Sequence, residues 1–364
     1  MTIQKITTEI FHIPLPKVLS DSTHGDIEFF ELISVRIYDS SGDYGLGYTY
    51  TTGTGGSAIA SHIKDDFSSI LIGIEPNNIE EIWNKLWWHV HFAGRGGAMS
   101  FAISAVDIAL WDLKGKQESK PIWKILGGEN PNVQVYAGGV DLQFTMHELI
   151  TQTESFLNNG FNAIKMKIGR QNISKDIERI AKIRSVLGNN RKLMVDANMN
   201  WTVDQAIQAA RLMQPYNVFW FEEPTIPEDI EGHIRIQNEG GIPIATGENF
   251  HNVFEFEHFI SSHAVSFPEP DVATIGGITA WMKVAKMALK SNLPITSHGV
   301  HDLHVHLLAA APNSSMMEVH AFGLENYIVE PLQIVNGNTI APNRPGHGVE
   351  FDFEKLTPLR IGNF

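Results

Sequence analysis

Residues 3–13 and 31–38 alternate apolar and polar side chains, the two-residue period of strands with one face buried. The turn Ser40-Ser41-Gly42-Asp43 separates the second run from Tyr44–Tyr48, a hairpin signal. Residues 57–72, 79–91 and 99–118 read as helices. The stretch Leu126-Gly127-Gly128-Glu129-Asn130-Pro131 then punctuates the chain, and the pattern changes. From Val133–Tyr136 onward, short apolar runs alternate with helical stretches to make eight strand-like segments, the repeat of a parallel barrel. After Glu330 the alternation stops, and residues 331–364 are rich in Pro and Gly. The pattern predicts an α/β fold: an α+β domain over 1–125, a (β/α)7β TIM-like barrel over 126–330, and a segment 331–364 that returns to the first domain.

Seven of the eight predicted strands end in a titratable side chain. Asp196 closes Lys-Leu-Met-Val-Asp, Glu222 closes Val-Phe-Trp-Phe-Glu, and Glu248 follows Pro-Ile-Ala-Thr-Gly; successive members are 26 residues apart. Carboxylates at the carboxyl ends of adjacent parallel strands converge, and like charges held together favour a divalent cation. An all-oxygen set suits Mg²⁺ or Mn²⁺ better than zinc. Lys165 and Lys167 are two apart and point to one face of their strand. Asp271, His298 and Glu318 close the later runs. Glu223 follows Glu222 and points the other way on a strand, so it reads as structural. His301, His304 and His306 cluster near His298, but on a helical run, where a metal-binding pair two apart diverges.

These residues carry a resemblance. With Ala105-Val106-Asp107-Ile108-Ala109-Leu110-Trp111-Asp112-Leu113, Lys165-Met166-Lys167-Ile168-Gly169, Val195-Asp196-Ala197-Asn198, Glu222-Glu223-Pro224, Gly247-Glu248-Asn249 and Gly276-Gly277-Ile278, the chain resembles the mandelate racemase group of the enolase superfamily over nearly its whole length. The resemblance implies Mg²⁺ held by Asp196, Glu222 and Glu248. It implies Lys167 as one catalytic base, His298 with Asp271 as the other, Glu318 as a hydrogen-bonding partner of the enolate, and Lys165 and Asn198 as electrophiles at the substrate carboxylate. It also implies that the first domain caps the barrel mouth and that the protein is a homo-oligomer, often an octamer.

The chemistry accounts for these residue types. Removing a proton next to a carboxylate creates a dianionic enediolate, whose charge a divalent cation offsets. A lysine base needs a lowered pKa, expected here from Lys165 beside Lys167 and the nearby metal. Asp271 would fix the tautomer of His298.

Composition narrows the partners. The formal charge of −14 disfavours nucleic acid and anionic membranes, so a small carboxylate substrate must be drawn by a local positive site. Cysteine is absent, which removes disulfide and thiol chemistry. The N-terminus lacks an apolar signal core and no apolar run is long enough to span a bilayer, so a cytoplasmic location is expected.

Two segments of the first domain read as loops over the site, 17–27 and 50–56. The second is Gly-rich but lacks the lysine of a phosphate-binding loop. Ser20, Asp21, Ser22, Thr23, His24 and Asp26 on the first, with Tyr50 and Thr52 on the second, suit a hydroxylated substrate, with Ser20, His24, Tyr50 and Thr52 as the contact residues. Dehydration of an aldonate or aldarate to a 2-keto-3-deoxy acid is therefore preferred. Met199, where many acid-sugar dehydratases carry glutamine, departs from that pattern. A 2-hydroxy-acid racemase and an inactive barrel kept as a scaffold are the alternatives.

Overall fold

The computed structural model describes residues 1–320 and 322–364. The chain opens with an antiparallel meander of β1 (Ile3–Asp21), β2 (Gly25–Asp39) and β3 (Tyr44–Thr51). The first two strands are longer than the sequence pattern predicts. Residues 17–27 are not a free loop: Leu19 pairs with Ile27, Ser20 with Asp26 and Asp21 with Gly25, and the chain turns at Ser22–His24. The register is broken between Pro14 and Leu19, where proline removes ladder donors, so the strand does not show as one alternating run.

Three helical stretches follow. Residues 56–71 contain a π-helical turn, and Ile79–His89 and Ala98–Gln117 are regular. Helix Ala98–Gln117 lies against β3 at backbone distance. A Cβ built on Gly45 or Gly47 would stand 1.9 Å from the carbonyl oxygen of Ala109 or Ala105, so only glycine permits this contact.

A curled parallel sheet forms the second layer. Its strands are β4 (Asn132–Gly138), β5 (Ala163–Lys167), β6 (Lys192–Asp196), β7 (Val218–Glu222), β8 (Ile244–Thr246), β9 (Phe267–Pro268) and β10 (Met317–His320), with β10 beside β4. Residues 294–297 close the gap between β9 and β10 without forming a full strand. Thr296 N–H donates to Pro268 O, Ile295 N–H donates to Asn313 O, and Ser315 N–H donates to Ile295 O. The barrel interior is filled below the site by Tyr136, Ala163, Met194, Trp220, Ala245 and Met316.

The last segment serves both layers. β11 (Asn338–Ile340) pairs antiparallel with β4, and β12 (Arg360–Asn363) adds a fourth strand to the meander beside β1. The expected return to the first domain is therefore only part of its path. Among the described residues, no helix is long and apolar enough to cross a membrane.

Candidate active site

Short parallel strands aim their last side chains into a common space between barrel and cap. Asp196, Glu222 and Glu248, from the ends of β6, β7 and β8, each offer a carboxylate oxygen within 4.8 Å of the others. Trp220 Nε1 donates to Glu222 Oε2 at 3.1 Å and orients that carboxylate from below. Glu248 Oε2 and Asn198 Oδ1 are buried without a hydrogen-bond partner, open acceptors at the rim of the cluster.

The lysines of β5 lie among these acids. Lys165 Nζ donates to Glu222 Oε1, lies 2.9 Å from Glu318 and 3.7 Å from Asp196. Lys167 Nζ is 2.5 Å from Asp196 Oδ2. The expected lowering of the lysine pKa is not what this geometry produces. Burial alone would lower both, but the Glu222 and Glu318 charges around Lys165 and the Asp196 charge beside Lys167 hold both well above the ordinary lysine value.

Carboxyl groups still outnumber cations. Burial pushes Glu222, Glu223 and Glu269 up, and neighbouring acids add to the rise. Such a cluster gains by taking up a hard divalent cation, and its all-oxygen donor set fits Mg²⁺.

Glu223 lies just past the strand with a φ of 41°, and its buried carboxylate accepts a hydrogen bond from Asn249 Nδ2 at 2.8 Å; it is not among the three carboxylates that cluster. Glu269 is fully buried with neither oxygen hydrogen-bonded, and the sequence reading missed it. So was Asp141, just beyond β4, which accepts the Lys167 backbone N–H at 3.0 Å and lies 3.4 Å from Arg179. The Gly138-Gly139-Val140 run before Asp141 hides a strand end that carries no titratable side chain of its own.

Across the cavity, His298 Nδ1 is 3.1 Å from Asp271 Oδ2, which leaves Nε2 facing inward, 3.3 Å from Glu248 Oε2. Burial opposes its charge, but Glu248 and the bond to Asp271 raise His298 to about 10. Tyr50 was expected to touch substrate. Its hydroxyl instead donates to Asp271 Oδ2 at 2.6 Å, although its ring lines the cavity. Gly299 N–H donates to Glu318 Oε2 at 3.1 Å.

The cavity measures about 210 Å³ and is lined by Asp21, His24, Tyr50, Thr52, Thr54, Phe101, Lys167, Asn198, Glu248, Asp271, His298 and Phe322, among others. Thr52 and His24 therefore face it, as expected. Ser20 does not. It is buried in the hairpin, its hydroxyl turned to Asp21 O at 3.4 Å and its carbonyl accepting from Leu142 N–H. His304 and His306 are core residues: His304 Nε2 accepts from Val272 N–H at 3.0 Å, and His306 Nε2 lies 2.9 Å from His347 O. Met199 does not line the cavity.

Residues 5–127 match the mandelate racemase / muconate lactonizing enzyme N-terminal domain, and residues 148–356 match the enolase C-terminal domain-like family. The chain belongs to the mandelate racemase group of the enolase superfamily. It is 51% identical to the 3,6-anhydro-alpha-L-galactonate cycloisomerase of Streptomyces coelicolor, over 99% of this chain and 100% of that protein. It is 35% identical to the L-talarate/galactarate dehydratase of Salmonella typhimurium, over 87% of this chain and 79% of the relative. The structure of a Streptomyces coelicolor racemase with bound magnesium superposes with a TM-score of 0.97 at 50% identity, covering 99% of this chain and 100% of that one. The L-talarate dehydratase of Polaromonas sp., complexed with Mg and L-glucarate, superposes with a TM-score of 0.94 at 31% identity, covering 100% and 98%.

Proposed function

We propose that this protein is a Mg²⁺-dependent enzyme that removes the proton α to the carboxylate of a sugar acid and then expels the β-oxygen. We further propose that the expelled oxygen is the ring ether of a 3,6-anhydro aldonate, so that the net reaction is a cycloisomerisation. The observation that carries the reading is one cavity lined by Lys167, the His298–Asp271 pair and Glu248, the last a member of the three-carboxylate cluster. The ring ether is favoured by full-length identity to the Streptomyces coelicolor cycloisomerase.

Asp196, Glu222 and Glu248 would hold the metal, which when bound offsets the negative charge that develops on the substrate carboxylate. Lys165 and Asn198 add an ammonium and an amide where that charge develops. Lys167 and His298 reach the cavity from β5 and from the segment after 294–297, on opposite walls, so one can take the α-proton from its face while the other serves the opposite face. Asp271 accepts from His298 Nδ1 and so turns Nε2 into the cavity. As the Cβ–O bond breaks, its electron pair leaves on oxygen and the enediolate electrons become the Cα=Cβ bond. The enol then becomes a 2-keto-3-deoxy acid. When the oxygen is tethered through the ring, nothing is lost and the product is an isomer; when it is a free hydroxyl, water leaves.

Dehydration of an open-chain acid sugar is the second reading, supported by Thr52 and Thr54 on the roof and by the dehydratase relative. The test is product analysis by mass spectrometry and NMR with 3,6-anhydro-L-galactonate and a panel of aldonates and aldarates. An unchanged mass with a new 2-keto group supports cycloisomerisation. Loss of one water from an open-chain acid, with the anhydro acid untouched, moves the assignment to dehydratase. Epimerised starting material alone moves it to racemase.

A further inference from the structure

A second imidazole–carboxylate couple faces the cavity from the roof. His24 Nδ1 is 2.8 Å from Asp21 Oδ2. Asp21 Oδ1 accepts the backbone N–H of Thr23 at 2.8 Å and of His24 at 2.7 Å. Both carboxylate oxygens are thus committed, and Nε2 is the free end of the imidazole. His24 lines the same cavity as Lys167, Asn198, Glu248 and His298.

The couple is held in place from outside the hairpin. Ser22 Oγ donates to Ala197 O at 2.7 Å, and Thr23 Oγ1 donates to Asn198 O. The hairpin tip is therefore in register with the end of β6, next to Asp196. Burial alone would raise the Asp21 carboxyl, but the bond from His24 and the charge of Lys167 bring it down to about 2. The same bond raises His24 above its ordinary value.

The geometry points to His24 as the catalytic acid for the departing oxygen, with Asp21 as its positioning residue, an inference that rests on the β-elimination proposed above. The substrate carboxylate would be drawn to the barrel floor by Lys165 and by the Mg²⁺ that Asp196, Glu222 and Glu248 would hold. Its β-carbon then lies toward the cap, where Lys167 and His298, flanking the α-carbon, are less well placed than a group on the roof. His24 gives its Nε2 proton to the β-oxygen as the Cβ–O electron pair moves onto that oxygen. The product leaves with the new hydroxyl, or with water, and neutral His24 regains a proton from solvent.

The test replaces His24 with Ala or Gln, and Asp21 with Asn, each checked for unchanged thermal unfolding. It uses the substrate with its oxygen leaving group and an analogue carrying fluorine at the β-carbon, since fluoride departs without a proton. Loss of the acid should lower turnover of the oxygen substrate by about 10²- to 10⁴-fold. Exchange of the α-proton with deuterated solvent should persist, and fluoride release should stay near wild type. Asp21→Asn should show the same split, less steeply, which a merely structural role would not produce. Equal loss on both substrates, or loss of exchange together with product, overturns the inference while leaving the function intact. If the wild-type protein eliminates neither oxygen nor fluoride from any sugar acid, the function reading and this inference fall together.

Discussion

Replacing Tyr50 with Phe separates two roles for the same side chain. The ring packs edge-on against Phe322 at 5.8 Å, and the substitution keeps that contact. What it removes is the hydroxyl that donates to Asp271 Oδ2 at 2.6 Å and lies 3.4 Å from His298 Nδ1. Asp271 keeps the Ala273 N–H at 2.7 Å and the His298 ring. A hydrogen bond to a buried charged group is worth about 1.5–3 kcal/mol. If that energy is spent on holding the pair in its working geometry, turnover falls by about 10- to 150-fold. The expected result of steady-state kinetics on the true substrate is a fall in kcat, with KM and Mg²⁺ affinity little changed. Solvent-deuterium exchange into the α-carbon should slow in parallel if His298 is the proton-removing base. A variant with normal kcat and a raised KM would refute the reasoning and return Tyr50 to the substrate-contact role its position in the sequence suggests.

Chelation should abolish turnover and Mg²⁺ should restore it, with Asp196→Asn weakening Mg²⁺ binding in a calorimetric titration; because Lys165 and Lys167 lie among the same carboxylates, circular dichroism should show the metal-free protein still folded. Gly299→Ala should lower kcat by about 5- to 150-fold, a penalty of roughly 1–3 kcal/mol for strain and steric conflict, because a Cβ there would stand 2.5 Å from both Asp271 Oδ2 and the Tyr50 hydroxyl and φ is +77°. Burial lowers His304 to about 4 and His306 to about 3, so the native state keeps both neutral while the unfolded chain protonates near the ordinary histidine value. Their stability contribution is full above that value and is lost as pH falls toward 4, by roughly 4 kcal/mol for the pair at about pH 5. Urea midpoints at the two pH values should show the fall, and His306→Gln should remove about half of it; an unchanged slope would count against the assignment.

Much of the barrel is legible because its signal is repeated. Asp196, Glu222, Glu248 and Asp271 stand at or just past the ends of short parallel strands, with His298 and Glu318 on the segments that complete the ring, so position along the chain converts directly into position around it. What the chain hides are the places where geometry departs from its own period. Glu223 meets Asn249 through a positive φ that a strand pattern does not anticipate. Prolines 14 and 16 interrupt the alternation of β1, so its second half reads as loop, and Ser20 is credited with an exposure it does not have. Tyr50 is correctly brought to the cavity, but the partner of its hydroxyl lies 221 residues away, which no local pattern encodes. Glu269 sits inside Phe-Pro-Glu-Pro, where a turn is the simpler reading. The charge state of the lysines depends on distances to acids from three other strands, and only the folded ring supplies those.

The backbone contact at Gly45 and Gly47 also limits how the site can open. Helix Ala98–Gln117 is fastened on its other side to the barrel: Ser100 Oγ donates to Thr274 O, Ser104 Oγ accepts from Gly276 N–H, and Asp107 accepts from Thr279. Sheet and helix thus meet at backbone distance, and helix and barrel are tied by short polar side chains, which resists shear of one body past another. Substrate entry then belongs to small excursions of the strand tips, at Ser22–His24 and at residues 52–54. Opening of that kind leaves the cap sheet, the helix and the barrel end at Thr274–Thr279 joined as one body.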